Sequence, residues 1–139
     1  DGAGFDKLIS PMSGLRGLSS GKTYKPDLNM VGPDIFNFTI KCIPNLVDKT
    51  LQLNKLEKSN IQYCIFHQAN EYMLSYLKEK SGFNDEQFVI DLANSGNTVS
   101  SSIPMALSRL YAIDKKNITS TQLLVGFGVG LSCAACVIA

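Results

Sequence analysis

The stretch IQYCIFHQANEYMLSYLKEKSG, residues 61–82, holds two patterns end to end. Its first six residues form a short apolar run, the length of a buried strand and too brief for a buried helix. From Asn70 to Lys80 the pattern is helical, and Ser81-Gly82 supplies a C-terminal stop. A buried strand feeding a helix is the repeating unit of α/β domains. Between the two stands His67, the only histidine of the chain, followed by Gln68, Ala69 and Asn70. A histidine in that position is either packing filler or a group held at a strand end for chemistry. Its surroundings have to decide.

Upstream, residues 1–32 are rich in Gly, Ser, Pro and Asn and read as a loop-rich lead-in with a short strand near Lys7–Ile9. From Pro33 the apolar residues Ile35, Phe36, Phe38, Ile40, Ile43, Leu46, Val47 and Leu51 recur at helical spacings. Pro33 suits a first helical turn, where its missing N–H costs nothing. Pro44 lies inside the run and predicts a kink or two abutting helices. Downstream, FVIDLA (88–93) reads as a strand and NSGNT (94–98) as a tight turn. A third helix follows from about Thr98 to Ala112. Its small residues, VSSSIPMA, predict a closely packed neighbour.

The terminal LLVGFGVGLSCAACVIA (123–139) is uncharged, which admits a tail anchor as well as two strands. It is short for a membrane helix, which needs roughly 20 apolar residues. Gly126, Gly128 and Gly130 would each weaken a helix by about 1 kcal/mol relative to alanine. Two strands joined at the glycines are expected. Strands alternating with helices give an α/β domain, a sheet covered by helices.

At 139 residues the chain is one domain's length and can bury a core without staples. A net charge of +1 points away from nucleic acid and from anionic membranes as main partners. Four cysteines are too few for a disulfide framework and read as reduced thiols of a cytoplasmic protein. No signal peptide is expected, and DGAGFDKLIS opens as though cut from something longer.

Three turns stand out, each after an apolar strand: HQAN, NSGNT and GFGVG. In open α/β sheets, sites are assembled at strand ends. Singly, each has a plain structural explanation: a satisfied core histidine, an asparagine N-cap, and glycines with no helix behind them to complete a phosphate cradle. Taken together, LNMVGPDIFNF (28–38), FHQAN (66–70), SGNTVSSSIPMAL (95–107) and GFGVGLS (126–132) resemble the C-terminal half of a β-ketoacyl-acyl-carrier-protein synthase III. That family comprises condensing enzymes of the thiolase superfamily. The order and spacing fit across essentially the whole chain. Elongating synthases of the superfamily use a second histidine where this chain has Asn97.

The resemblance implies a mixed sheet covered by helices, the C-terminal half of a thiolase-like fold over residues 1–139. The cysteine-bearing N-terminal half would be absent. It implies a Cys–His–Asn site in which His67 and Asn97 are the second and third members. A cysteine takes an acyl group from acyl-CoA, malonyl-acyl-carrier-protein loses CO2, and the resulting carbanion attacks the thioester. Imidazole Nε2–H and a carboxamide N–H can stabilise the enolate without surrendering a proton.

Gly128, Val129 and Gly130 resemble the loop that lends a backbone N–H to the other oxyanion. Asn70, Met30, Gly32 and Phe36 fall where relatives line the pantetheine tunnel. Glu71-Tyr72 stands where some relatives carry a basic residue for carrier-protein docking, and Cys133 where relatives usually carry tryptophan. The implied partners are acyl carrier protein, a CoA thioester, the missing half and a second copy in a homodimer. No cofactor and no metal are expected, nor a nucleic-acid or membrane partner.

None of the four cysteines fits the nucleophile. Cys42 lies in the first helix. Cys64 precedes His67 by three residues on a strand, and alternation turns their side chains to opposite faces. That argues against a Cys64/His67/Asn97 hydrolase. Cys133 and Cys136 spell CxxC, but on a strand they too face opposite ways, and one histidine without a second CxxC makes a poor zinc site. All four read as small buried hydrophobes. The nucleophile is expected upstream of Asp1, and the chain alone is expected to be inactive. The alternative is a non-catalytic thiolase-like binding or assembly subunit, which would need neither His67 nor Asn97.

Overall fold

In a computed structural model, which describes residues 2–11, 13 and 28–139, the elements run β1 (Leu8–Ile9), β2 (Asn29–Met30), α1 (Gly32–Asn54), β3 (Tyr63–Phe66), α2 (Glu71–Ser81), β4 (Phe88–Val89), α3 (Ser102–Ile113), β5 (Gln122–Gly128) and β6 (Ser132–Ile138). Half of the lead-in, residues 1, 12 and 14–27, lies outside the described residues. The chain forms two compact units, Asp1–Thr39 with Gly128–Ser132, and Ile40–Phe127 with Cys133–Ala139.

In the larger unit the sheet order is β4-β3-β5-β6. β3 is central and parallel to both neighbours, with Cys64 opposite Phe88 on one side and Leu123 on the other. Parallel strands covered on both faces carry apolar residues without alternation. Accordingly Cys64, Ile65 and Phe66 are all fully buried. Three residues separate β5 from its neighbour β6, which leaves only antiparallel pairing and makes the sheet mixed. The terminal segment is therefore two strands. Among the described residues no helix is long and apolar enough to cross a membrane.

α3 lies on the face that Ile65 presents, packing Ala106 and Leu110 against it. The close neighbour expected for its small residues is thus this chain's own sheet. Its other side, including Pro104, Ser108 and Ala112, stays exposed. α1 buries Ile43, Val47 and Leu51 at intervals of four, one stripe of a helix. That stripe spans Pro44, and the helix continues through it unbroken instead of splitting in two.

α2 begins and ends as its sequence predicts. Asn70 Oδ1 accepts the Met73 N–H at 2.9 Å, and Gly82 closes the helix at φ 71°. β4 is shorter than FVIDLA predicts, because beyond Val89 the backbone bonds to a side chain: the Asp91 N–H donates to Gln68 Oε1 at 2.7 Å.

The smaller unit pairs β1 with β2 antiparallel, Leu8 opposite Met30. The Val31 N–H donates to the Lys7 carbonyl at 2.8 Å, and Lys7 lies 3.5 Å from the Asp34 carboxylate.

The cysteines are all free, but only Cys64 is buried. Cys136 is exposed and Cys133 half-buried, as alternation along β6 requires. The reading of four buried hydrophobes therefore holds for Cys64 alone. Among the described residues no cluster of His, Cys, Asp or Glu could hold a metal ion.

Candidate active site

His67 extends β3 by one residue. Its N–H donates to the Val125 carbonyl at 2.8 Å, and the chain then turns, with the Ala69 N–H donating to the His67 carbonyl at 2.9 Å. The turn is held by Gln68, which is only 1% exposed. Gln68 Nε2 donates to the Phe66 carbonyl at 2.7 Å and the Val89 carbonyl at 3.3 Å, while Oε1 takes the Asp91 N–H. One amide thus serves three backbone groups that would otherwise be orphaned at the sheet's end.

The imidazole of His67 is half-buried. Its Nδ1 is 2.7 Å from Ser102 Oγ, at the start of α3. Its ring stands edge-on to Phe127, with centroids 5.3 Å apart and planes at 81°. Burial lowers its pKa from the ordinary 6.5, against a smaller opposing effect of a Val99 backbone contact. The ring is therefore neutral at physiological pH, able to donate from one nitrogen and accept at the other.

Asn97 sits on the loop between β4 and α3 and is exposed. Two anchors shape that loop. The Gly96 N–H donates to the Leu92 carbonyl at 2.9 Å. Arg109 of α3 reaches back to Asp91 Oδ1 at 2.6 Å and also donates to Ser95 Oγ. Asn97 Oδ1 accepts the Val99 N–H at 2.9 Å. His67 and Asn97 thus both meet the backbone of Val99.

The remaining predicted residues divide between the units. Asn70 is the N-cap of α2, so its oxygen has a structural duty. Met30, Gly32 and Phe36 belong to the smaller unit: Met30 lies on β2 with 62% exposure, Gly32 opens α1, and Phe36 is half-buried. Gly128 and Gly130 have φ values of 152° and 138°. Val129 between them is 60% exposed, and its carbonyl accepts the Ser132 hydroxyl at 2.6 Å. A β-carbon on Gly130 would stand 2.9 Å from the Ser132 nitrogen. Only glycine fits there.

Sequence reasoning passed over Gln68, Asp91, Ser102 and Arg109 as supports. Gln68 was within sight, since a long polar residue directly after a buried strand needs partners. The other three act across long stretches of chain, and no local pattern signals them.

Residues 51–139 match the family described as 3-Oxoacyl-[acyl-carrier-protein (ACP)] synthase III C terminal. The beta-ketoacyl-[acyl-carrier-protein] synthase III of Campylobacter concisus is 34% identical over 135 residues, 95% of this chain and 40% of that protein. Its counterpart in Clostridium tetani is 36% identical over 114 residues, 80% of this chain and 33% of that protein. The crystal structure of a 3-oxoacyl-(acyl-carrier protein) synthase from Burkholderia xenovorans LB400 superposes with a TM-score of 0.86 at 33% identity, covering all of this chain and 42% of that one. The chain spans about two fifths of the length of such relatives.

Proposed function

The chain belongs to the 3-oxoacyl-[acyl-carrier-protein] synthase III family, whose C-terminal domain it carries, and we propose that His67 and Asn97 form the decarboxylation site of a condensing enzyme. The scheme begins with an acyl group transferred from acyl-CoA to a cysteine outside residues 1–139. Malonyl-acyl-carrier-protein then binds. The bond between its carboxylate and the α-carbon breaks, CO2 leaves, and the electron pair spreads onto the thioester oxygen as an enolate. His67 Nε2–H and the Asn97 NH2 donate to that oxygen. The α-carbon attacks the acyl-cysteine, a carbon–carbon bond forms, and the thiolate departs. Loss of CO2 supplies the carbanion, so the scheme calls for no cofactor.

The observation that carries this reading is the tie between Asn97 Oδ1 and the Val99 N–H, made beside a neutral His67. Enolate stabilisation needs donors that are aimed in advance and keep their protons. An asparagine held through its oxygen keeps its NH2 group for the enolate. A backbone N–H from the Gly128–Val129–Gly130 turn is the proposed donor to the second oxyanion, on the acyl-cysteine. There a valine side chain is no obstacle, because the donor is an amide. No described cysteine fits the nucleophile. Cys64 is buried in the sheet, and burial pushes its thiol well above the ordinary range. The isolated chain is therefore proposed to be inactive.

The test separates the two half-reactions in the complete enzyme. His67→Ala and Asn97→Ala should each slow malonyl decarboxylation on the order of 10²–10³-fold, as losing one oxyanion donor does, and leave acylation of the cysteine nearly intact. Equal loss in both steps would refute the assignment.

A further inference from the structure

Ser102 is 3% exposed at the start of α3, and its hydroxyl faces two groups. His67 Nδ1 lies at 2.7 Å and the Gln68 N–H donates to it at 3.3 Å. A hydroxyl has one proton to give and two lone pairs to offer. The Gln68 N–H can only donate, so it takes a lone pair. Among the described contacts of this side chain, Nδ1 is then the sole acceptor for the hydroxyl proton. Were Nδ1 to carry the ring hydrogen, Ser102 would accept twice, and its own proton would be stranded in a buried place.

We propose that Ser102 sets the tautomer of His67: its O–H donates to Nδ1, which confines the ring hydrogen to Nε2. Ser102 is thereby a positioning residue, acting on substrate only through the imidazole. The inference rests on the enolate-binding reading of His67 for its significance, because that role requires a hydrogen on Nε2 and is lost with the other tautomer. The hydrogen bond also joins the first turn of α3 to the residue after β3. The contact that fixes the tautomer thus also helps to orient the ring, beside Phe127 and the Val99 backbone.

The experiment is 15N NMR of the His67 ring in the complete protein, the signals being assigned by their loss in His67→Ala. It is run on the native sequence, Ser102→Ala and Ser102→Thr, with decarboxylation and cysteine acylation assayed in parallel. In the native protein Nε2 should resonate as a protonated nitrogen and Nδ1 as an unprotonated one. In Ser102→Ala the two signals should move toward each other as both tautomers populate. Decarboxylation should fall on the order of tenfold, by analogy with the partners that orient metal-bound histidines, with acylation unchanged. Ser102→Thr, which keeps the hydroxyl, should restore both readouts.

A hydrogen on Nδ1 in the native protein would overturn the proposal. So would an unchanged ring spectrum in Ser102→Ala, whatever its activity. Full decarboxylation by His67→Ala would instead defeat the enolate-binding reading, and the NMR result would still decide which nitrogen Ser102 addresses.

Discussion

The Val99 N–H donates to Asn97 Oδ1 over 2.9 Å, and Val99 does so from a φ of 55°. A β-branched residue in the left-handed region is a conformational outlier. Such residues persist where the surroundings over-determine them, and they gather at functional sites. Here the strain sits on the residue that aims the Asn97 carboxamide.

Replacing Val99 with glycine should therefore stabilise the protein while impairing decarboxylation. Relief of backbone strain is worth about 1–3 kcal/mol, against about 0.5–1 kcal/mol for the extra freedom of glycine in the unfolded chain. Val99 is 68% exposed, so little burial is lost. A net gain of about 1 kcal/mol is expected from urea unfolding. A clear loss of stability would mean that the valine side chain contributes packing that outweighs its strain.

The depressed pKa of His67 makes stability depend on pH with a definite sign. As pH falls through the ordinary histidine value of 6.5, the unfolded chain takes up a proton that the folded ring still declines. Stability attributable to His67 is thus greatest above that pH, declines between the unfolded and folded pKa values, and levels off below the folded one. His67 is the only histidine, so subtracting the His67→Gln unfolding profile from the native one isolates the effect between about pH 5 and pH 8. A difference that grows in the native protein's favour on acidification would contradict it.

Gln68→Ala should cost about 2–4 kcal/mol, because it removes a buried side chain and strands the backbone groups of Phe66, Val89 and Asp91. Calorimetry or urea unfolding reads this directly. A loss below about 1 kcal/mol would show that water replaces the amide at the sheet's end.

The outward side of α3 predicts self-association. Val99, in the turn just before it, and Ile113, at its last residue, are 68% and 82% exposed, and small residues between them permit close approach of another helix. A two-fold pair is the commonest arrangement for copies of one chain. Light scattering over a dilution series should give a mass that falls with dilution. A constant monomer mass would rule the pairing out.

What was legible in the sequence was local. The short apolar run of β3, the Asn70 cap, the Gly82 stop and the strands around Gly126–Gly130 each depend on neighbours a few residues away. Continuity of α1 through Pro44 was hidden, since it depends on a buried stripe outweighing one missing hydrogen bond. The early end of β4 was hidden too, because the Gln68 side chain, from the turn after β3, takes over its backbone. His67 was conspicuous as a lone histidine, and Asn97 stood out only through the motif around it. Ser102 and Arg109 gave no signal, since each acts on a residue far off in the chain.

The central position of β3 also governs the order in which the chain can assemble. Its pairing with β5 closes a long loop: Gln62 Oε1 accepts the N–H of Thr121, 59 residues away. Its pairing with β4 spans far less chain, Cys64 to Phe88. Non-local parallel pairings form slowly, because the entropy of closing the loop must be met before any contact is gained. During synthesis one edge of an almost wholly apolar strand therefore waits, unmatched, while the residues between are made. Pulse-labelled hydrogen exchange would register this as late protection of the Leu123–Val125 amides. In that interval the fold is most exposed to mispairing with other chains.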